Sequence, residues 1–65
     1  MSFTVNGELH EWGAQPTVDT LVRRLGLPDR GIAVAVDGAV VPRGRWGRVV
    51  PAGAVVEVVT AVQGG

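Results

Sequence analysis

Ser2-Phe3-Thr4-Val5-Asn6-Gly7-Glu8-Leu9-His10-Glu11-Trp12 opens the chain as two short runs joined by Asn-Gly. Alternating polar and apolar residues mark a half-buried strand. Asn-Gly suits a type I′ turn, which needs positive φ at both central residues. The stretch therefore predicts a hairpin, with one strand ending at Val5 and a second over residues 8–12. With a two-residue loop, Val5 faces Glu8, Phe3 faces His10 and Met1 faces Trp12, because cross-strand partners share a face. His10 and Trp12 then lie on the core side, and Leu9 shares the other face with Thr4. One residue more or less in the loop would exchange the two faces.

Beyond the hairpin, residues 13–16 form a connector and Thr17 stands at an N-cap position. Val18, Leu21, Val22 and Leu25 follow at i, i+3, i+4 and i+7, a single apolar stripe on a helix of about nine residues. Asp19 in the first turn and Arg23 and Arg24 in the last complement the helix dipole, and Gly26 fits a left-handed residue after the end. So short a helix is not stable alone, so its stripe must pack on a sheet. Ile32-Ala33-Val34-Ala35-Val36 is apolar throughout, as in a central strand covered on both faces. Asp37-Gly38 is a second hairpin signal, and Ala39-Val40-Val41 runs up to Pro42.

Residues 49–53 turn the chain into a last strand over residues 54–62. Its single charge, Glu57, places Val56 and Val58 toward the helix and Val55 and Val59 on the opposite face. The order β, β, α, β, β, β makes residues 1–65 a single α+β domain of β-grasp type, a mixed sheet with one helix across one face. The other face then carries Ala33, Ala35, Val55 and Val59, an apolar patch of the kind that marks protein docking.

Composition narrows the function. The 65 residues contain no cysteine, which excludes disulfides, thiolate metal sites and a thiol nucleophile. Six acidic residues balance six basic ones, all arginine, which argues against a nucleic-acid surface. Arginines surround Trp46 in the segment Arg43-Gly44-Arg45-Trp46-Gly47-Arg48. This reads better as a loop whose tryptophan folds back over one end of the core, with arginines that can meet acidic groups on a protein partner. His10, the lone histidine, reads as a packing residue, since no serine or cysteine partner signature accompanies it. No apolar run is long enough to span a membrane and no secretory signal is visible, so a cytoplasmic protein is expected.

Ala61-Val62-Gln63-Gly64-Gly65 closes the sequence. Two residues without Cβ make the thinnest backbone available, able to thread a narrow channel, and five extended residues reach ~17 Å. A terminal carboxylate is ionised at neutral pH and can attack the α-phosphate of a nucleotide.

Together these residues resemble the ThiS sulfur carriers of thiamin biosynthesis, ubiquitin-like proteins ending in diglycine. The resemblance runs over essentially the whole chain. It is carried by the hairpin with Asn6, Thr17-Val18 with Leu21, Val34-Ala35-Val36-Asp37-Gly38, Val41-Pro42-Arg43 with Trp46 three residues on, and the closing Ala61-Val62-Gln63-Gly64-Gly65. Gly53-Ala54 departs from it, since the family commonly has aspartate after that glycine.

The resemblance implies that an E1-like adenylyltransferase, using ATP and magnesium, activates the carboxylate of Gly65. A sulfur donor such as a cysteine desulfurase then supplies sulfur, and thiazole synthase receives it from the resulting thiocarboxylate. The chain would be a co-substrate and not an enzyme, binding no cofactor or metal itself. Gly64 and Gln63 would form the tail, and Val55, Val59 and Trp46 parts of the docking surface. Two other readings share the fold: the small subunit of molybdopterin synthase, and a β-grasp interaction module without sulfur chemistry.

Overall fold

The opening hairpin forms in the expected register. In the computed structural model, which describes residues 1–28 and 30–60, β1 (Ser2–Val5) pairs antiparallel with β2 (Glu8–Glu11), with Phe3 opposite His10 and Val5 opposite Glu8. Asn6 and Gly7 take φ of 52° and 84°, the double positive φ of a type I′ turn. Trp12 lies one residue past β2, and its backbone exchanges hydrogen bonds with Met1.

Helix α1 (Val18–Arg24) spans seven residues, shorter than expected because Leu25 serves as its C-cap. The Thr17 hydroxyl accepts from the Thr20 N–H at 3.1 Å and so caps the first turn. Gly26 follows with φ of 70°, and Leu27 N–H reaches back to the Val22 carbonyl at 3.1 Å, closing the end of the helix. Val18, Leu21 and Val22 are fully buried and Leu25 packs beside them. The helix is thus held by tertiary packing, as its length requires.

Strands β3 (Ile32–Val36) and β4 (Ala39–Val41) form the second hairpin, around Asp37 and Gly38 at φ of 52° and 85°. A single 3₁₀ turn (Arg43–Arg45) and the segment through Pro51 lead into β5 (Val55–Thr60). The sheet order is β2-β1-β5-β3-β4. The last strand in the sequence, and not β3, is therefore the middle one, although β3 does lie inside the sheet. β5 pairs parallel with β1 and antiparallel with β3. The strand expected over residues 54–62 is described as far as Thr60, and its remainder lies among residues 61–65, outside the described residues.

One face of this mixed sheet packs on the helix. Phe3, Val5, Val34, Val41 and Val56 supply its buried side, and Val50, Ala54 and Trp46 close the core. No buried polar side-chain atom among the described residues lacks a hydrogen-bond partner. One helix on one face of a five-stranded mixed sheet is the β-grasp architecture expected from the order of elements.

Candidate functional site

Among the described residues, nothing covers the face of the sheet away from the helix. Side-chain alternation puts Val55, Glu57 and Val59 of β5 on it, as expected. Val55 is 51% exposed and Val59 59%. Pairing brings Thr4 beside Val55, Ala35 beside Glu57 and Ala33 beside Val59. Register then extends the surface beyond the expected four residues, to Leu9 opposite Thr4 and Val40 opposite Ala35, which are 67% and 69% exposed. Four large aliphatic side chains and two alanines thus surround one carboxylate, Glu57. The hairpin register read from the sequence places Leu9 on this face. Val40 was missed, although the alternation Ala39-Val40-Val41 between buried Val41 and its neighbour carries the signal.

Trp46 takes no part in that surface, which corrects its expected role in docking. It is 3% exposed, and its indole N–H donates to the Val41 carbonyl at 3.2 Å. The Arg43 guanidinium lies 4.3 Å from the centre of the ring. A large ring with one polar edge is stabilised more by filling the end of the core, with its N–H satisfied, than by standing in water. The expectation that Trp46 folds back over the core is met.

His10 is a packing residue in this structure. Its ring stacks on Phe3 at 5.8 Å between centroids with an interplanar angle of 13°, and its Nε2 lies 3.6 Å from a Glu8 carboxylate oxygen. Trp12 meets Phe3 edge-on at 5.0 Å and is covered by Arg24 at 4.4 Å. Among the described residues no hydroxyl is hydrogen-bonded to His10, and no group of three or more acidic or histidine side chains could hold a metal ion. A groove of about 240 Å³ beside α1 and the β3–β4 hairpin has Val18, Val36, Val41 and Val49 among its lining, with Asp37 and Arg48 as its charged residues. It brings together no nucleophile and base. No helix among the described residues is long and apolar enough to cross a membrane.

Both turn residues that precede a glycine reach β5. Asp37 donates its backbone N–H to the Val55 carbonyl at 2.8 Å, and its carboxylate accepts the Val55 N–H at 2.8 Å. Asn6 donates its backbone N–H to the Val56 carbonyl at 2.9 Å. Its side-chain amide then accepts the Val58 N–H at 2.8 Å and donates to the Val58 carbonyl at 3.1 Å. β5 is thus held at its first residue, Val55, and at its fourth, Val58, by side chains from the two hairpin turns. Gln63, Gly64 and Gly65, the expected tail and acceptor, lie outside the described residues.

A five-stranded mixed sheet of this order, clasping one helix on one face, defines a ubiquitin-like β-grasp domain. The model of the ThiS family matches residues 3–65, and the chain belongs to that family, as its sequence resemblance implied. Among solved structures, the crystal structure of the thiamine biosynthesis protein ThiS from Geobacter metallireducens is similar over 100% of both chains, at 29% identity and a TM-score of 0.87. An NMR solution structure of a thiamine biosynthesis protein from the same organism is similar at 26% identity and a TM-score of 0.78, over 100% of this chain and 88% of that one. No curated protein matches the chain.

Proposed function

We propose that this protein carries sulfur for thiamin thiazole formation, on the terminal carboxylate of Gly65. The observation that carries the reading is the family match, which runs through the diglycine to residue 65. The solved relatives of the same fold are thiamine biosynthesis proteins, which supports the same pathway.

A carboxylate is a poor electrophile with no good leaving group. Its oxygen attacks the α-phosphate of ATP, held with magnesium by an E1-like adenylyltransferase, and pyrophosphate leaves. The acyl-adenylate now has AMP as a leaving group. A persulfide on a partner cysteine, filled by a donor such as a cysteine desulfurase, displaces AMP through its terminal sulfur. Reduction of the resulting acyl disulfide by a thiol frees Gly65 as the thiocarboxylate, which thiazole synthase consumes. The body of the domain contributes recognition and presentation only. Its uncovered face, with Val55 and Val59 near the centre and Leu9 and Val40 toward the rims, receives the partner enzymes. Gly64 lets the chain pass through a channel too narrow for a Cβ.

The test is intact mass after incubation with ATP, magnesium, the activating enzyme and a sulfur source. A gain equal to one oxygen replaced by sulfur, confined to the C-terminal fragment, is expected. An unchanged mass rejects the reading, and so does unimpaired activation of a chain lacking Gly65. A β-grasp interaction module would keep its partner binding when one residue is added after Gly65, whereas a carrier would lose activation. Gly64→Ala should slow activation, and equal rates would remove the channel from the argument.

A further inference from the structure

We infer that Asn6 is a positioning residue for the activation reaction. Its side-chain amide replaces the missing rung of the sheet at Val58 and so fixes, on the β1 side, the line of the second half of β5. The inference rests on the activation reading given above.

The geometry is specific. Along the parallel pair β1–β5, Thr4 N–H donates to the Ala54 carbonyl at 3.0 Å and Asn6 N–H to the Val56 carbonyl at 2.9 Å. In an uninterrupted parallel ladder, Val58 N–H would next donate to the backbone carbonyl of residue 6, and its carbonyl would accept from the N–H of residue 8. The first of those groups lies in the turn at Asn6 and Gly7 and the second in β2, so neither continues the ladder with β5. The Asn6 amide supplies substitutes for both, its oxygen taking the Val58 N–H at 2.8 Å and its nitrogen donating to the Val58 carbonyl at 3.1 Å. A carboxylate could provide only the acceptor, and a hydroxyl is too short to span both atoms. On the opposite side β5 is paired with β3 as far as Thr60, which faces Ile32. Among the described residues, the β1 side of β5 beyond Val56 is held at Val58 by this one side chain.

This arrangement matters because activation requires the terminal residues to enter a partner's site along one line. Without the Asn6 bonds the second half of β5 is held from the β3 side alone, which widens the range of directions it samples, and only the fraction with the right one binds productively. The apparent affinity falls by that fraction, while the step after binding is untouched.

The experiment compares the full-length chain with Asn6→Gly, Asn6→Asp and Thr17→Ala. Glycine accepts the positive φ of position 6 but makes neither side-chain bond. Thr17→Ala removes the helix cap instead and serves as a destabilised control remote from Val58. Amide exchange is followed by NMR at a temperature where every chain is folded, and adenylation of Gly65 by ATP–pyrophosphate exchange. In Asn6→Gly, protection at Val58 should fall while that at Val34 and Val56 persists. Its KM should rise roughly five-fold or more with kcat kept within about two-fold. Asn6→Asp, which retains only the acceptor, should fall between Asn6→Gly and the parent. Thr17→Ala should keep the parent KM.

A parental KM in Asn6→Gly overturns the positioning role, and so does an equal rise in Thr17→Ala. Undiminished protection at Val58 overturns the clamp itself, whatever the kinetics. Failure of the unaltered chain to be adenylated overturns the activation reading, and the positioning role with it, while exchange at Val58 still reports on the clamp.

Discussion

The two hairpin turns of this protein have nearly identical backbones and different side-chain tasks. Asn6-Gly7 has φ of 52° and 84°, and Asp37-Gly38 has φ of 52° and 85°. Both first residues adopt the left-handed conformation that asparagine and aspartate tolerate best among non-glycine residues. Each also reaches the same strand, β5. At its start, Asp37 provides the acceptor through its carboxylate and the donor through its own backbone N–H, so an acid suffices. Near its end, the Asn6 backbone N–H is already used on Val56, so the side chain must both accept from Val58 and donate to it. Only an amide of that length does both. A turn residue can thus close a local hairpin and also complete a ladder more than fifty positions away in the chain, and the second task is what distinguishes asparagine from aspartate.

The comparison can be broken by substitution. Asn6→Ala should have the largest effect, about 2 to 4 kcal/mol, since alanine tolerates the left-handed conformation less well than asparagine and two hydrogen bonds are lost. Urea unfolding measures it, and the m-value should not change. Asp37→Ala loses one side-chain bond and puts alanine in the same left-handed conformation, so its loss should be smaller, about 2 to 3 kcal/mol. If Asp37→Ala proves the more harmful, the two-bond clamp at Val58 is not the stronger tie. Asn6→Asp keeps the acceptor and sets a carboxylate against the Val58 carbonyl. Because the site is exposed and water can replace the lost donor, about 1 kcal/mol is expected. The reciprocal Asp37→Asn preserves the oxygen that accepts from Val55 and should change stability by less than about 0.5 kcal/mol. Equal losses in these two exchanges would remove the distinction between an acid-tolerant and an amide-requiring turn.

Local structure was legible at particular residues. Asn6-Gly7 and Asp37-Gly38 marked both hairpins, and the first of them set the register that puts Phe3 opposite His10. Thr17, the stripe through Leu21 and Gly26 marked the helix and its ends. Glu57 was enough to divide the faces of β5 correctly, which placed Val55 and Val59 on the bare surface. Trp46 was legible only in part. Its sequence neighbours, three arginines and two glycines, suit both a solvent loop and a core plug, and the carbonyl of Val41 that receives its N–H comes into range only once β4 and the 3₁₀ turn are in place. The Asn6 clamp was not legible at all. An Asn-Gly turn explains its asparagine completely without any distant partner, so nothing in the sequence asks for Val58.

The sequence by itself determined the elements, the polarity of their faces and the family, because turn chemistry, capping and periodicity act between residues a few positions apart, and the family pattern runs the length of the chain. Tertiary structure alone decided that β5 lies in the middle of the sheet, that Trp46 is withdrawn from the surface, and that the turn at Asn6 secures Val58. Those outcomes depend on which distant groups share a hydrogen-bond ladder or a core once the chain has closed on itself, and no local spacing encodes that choice.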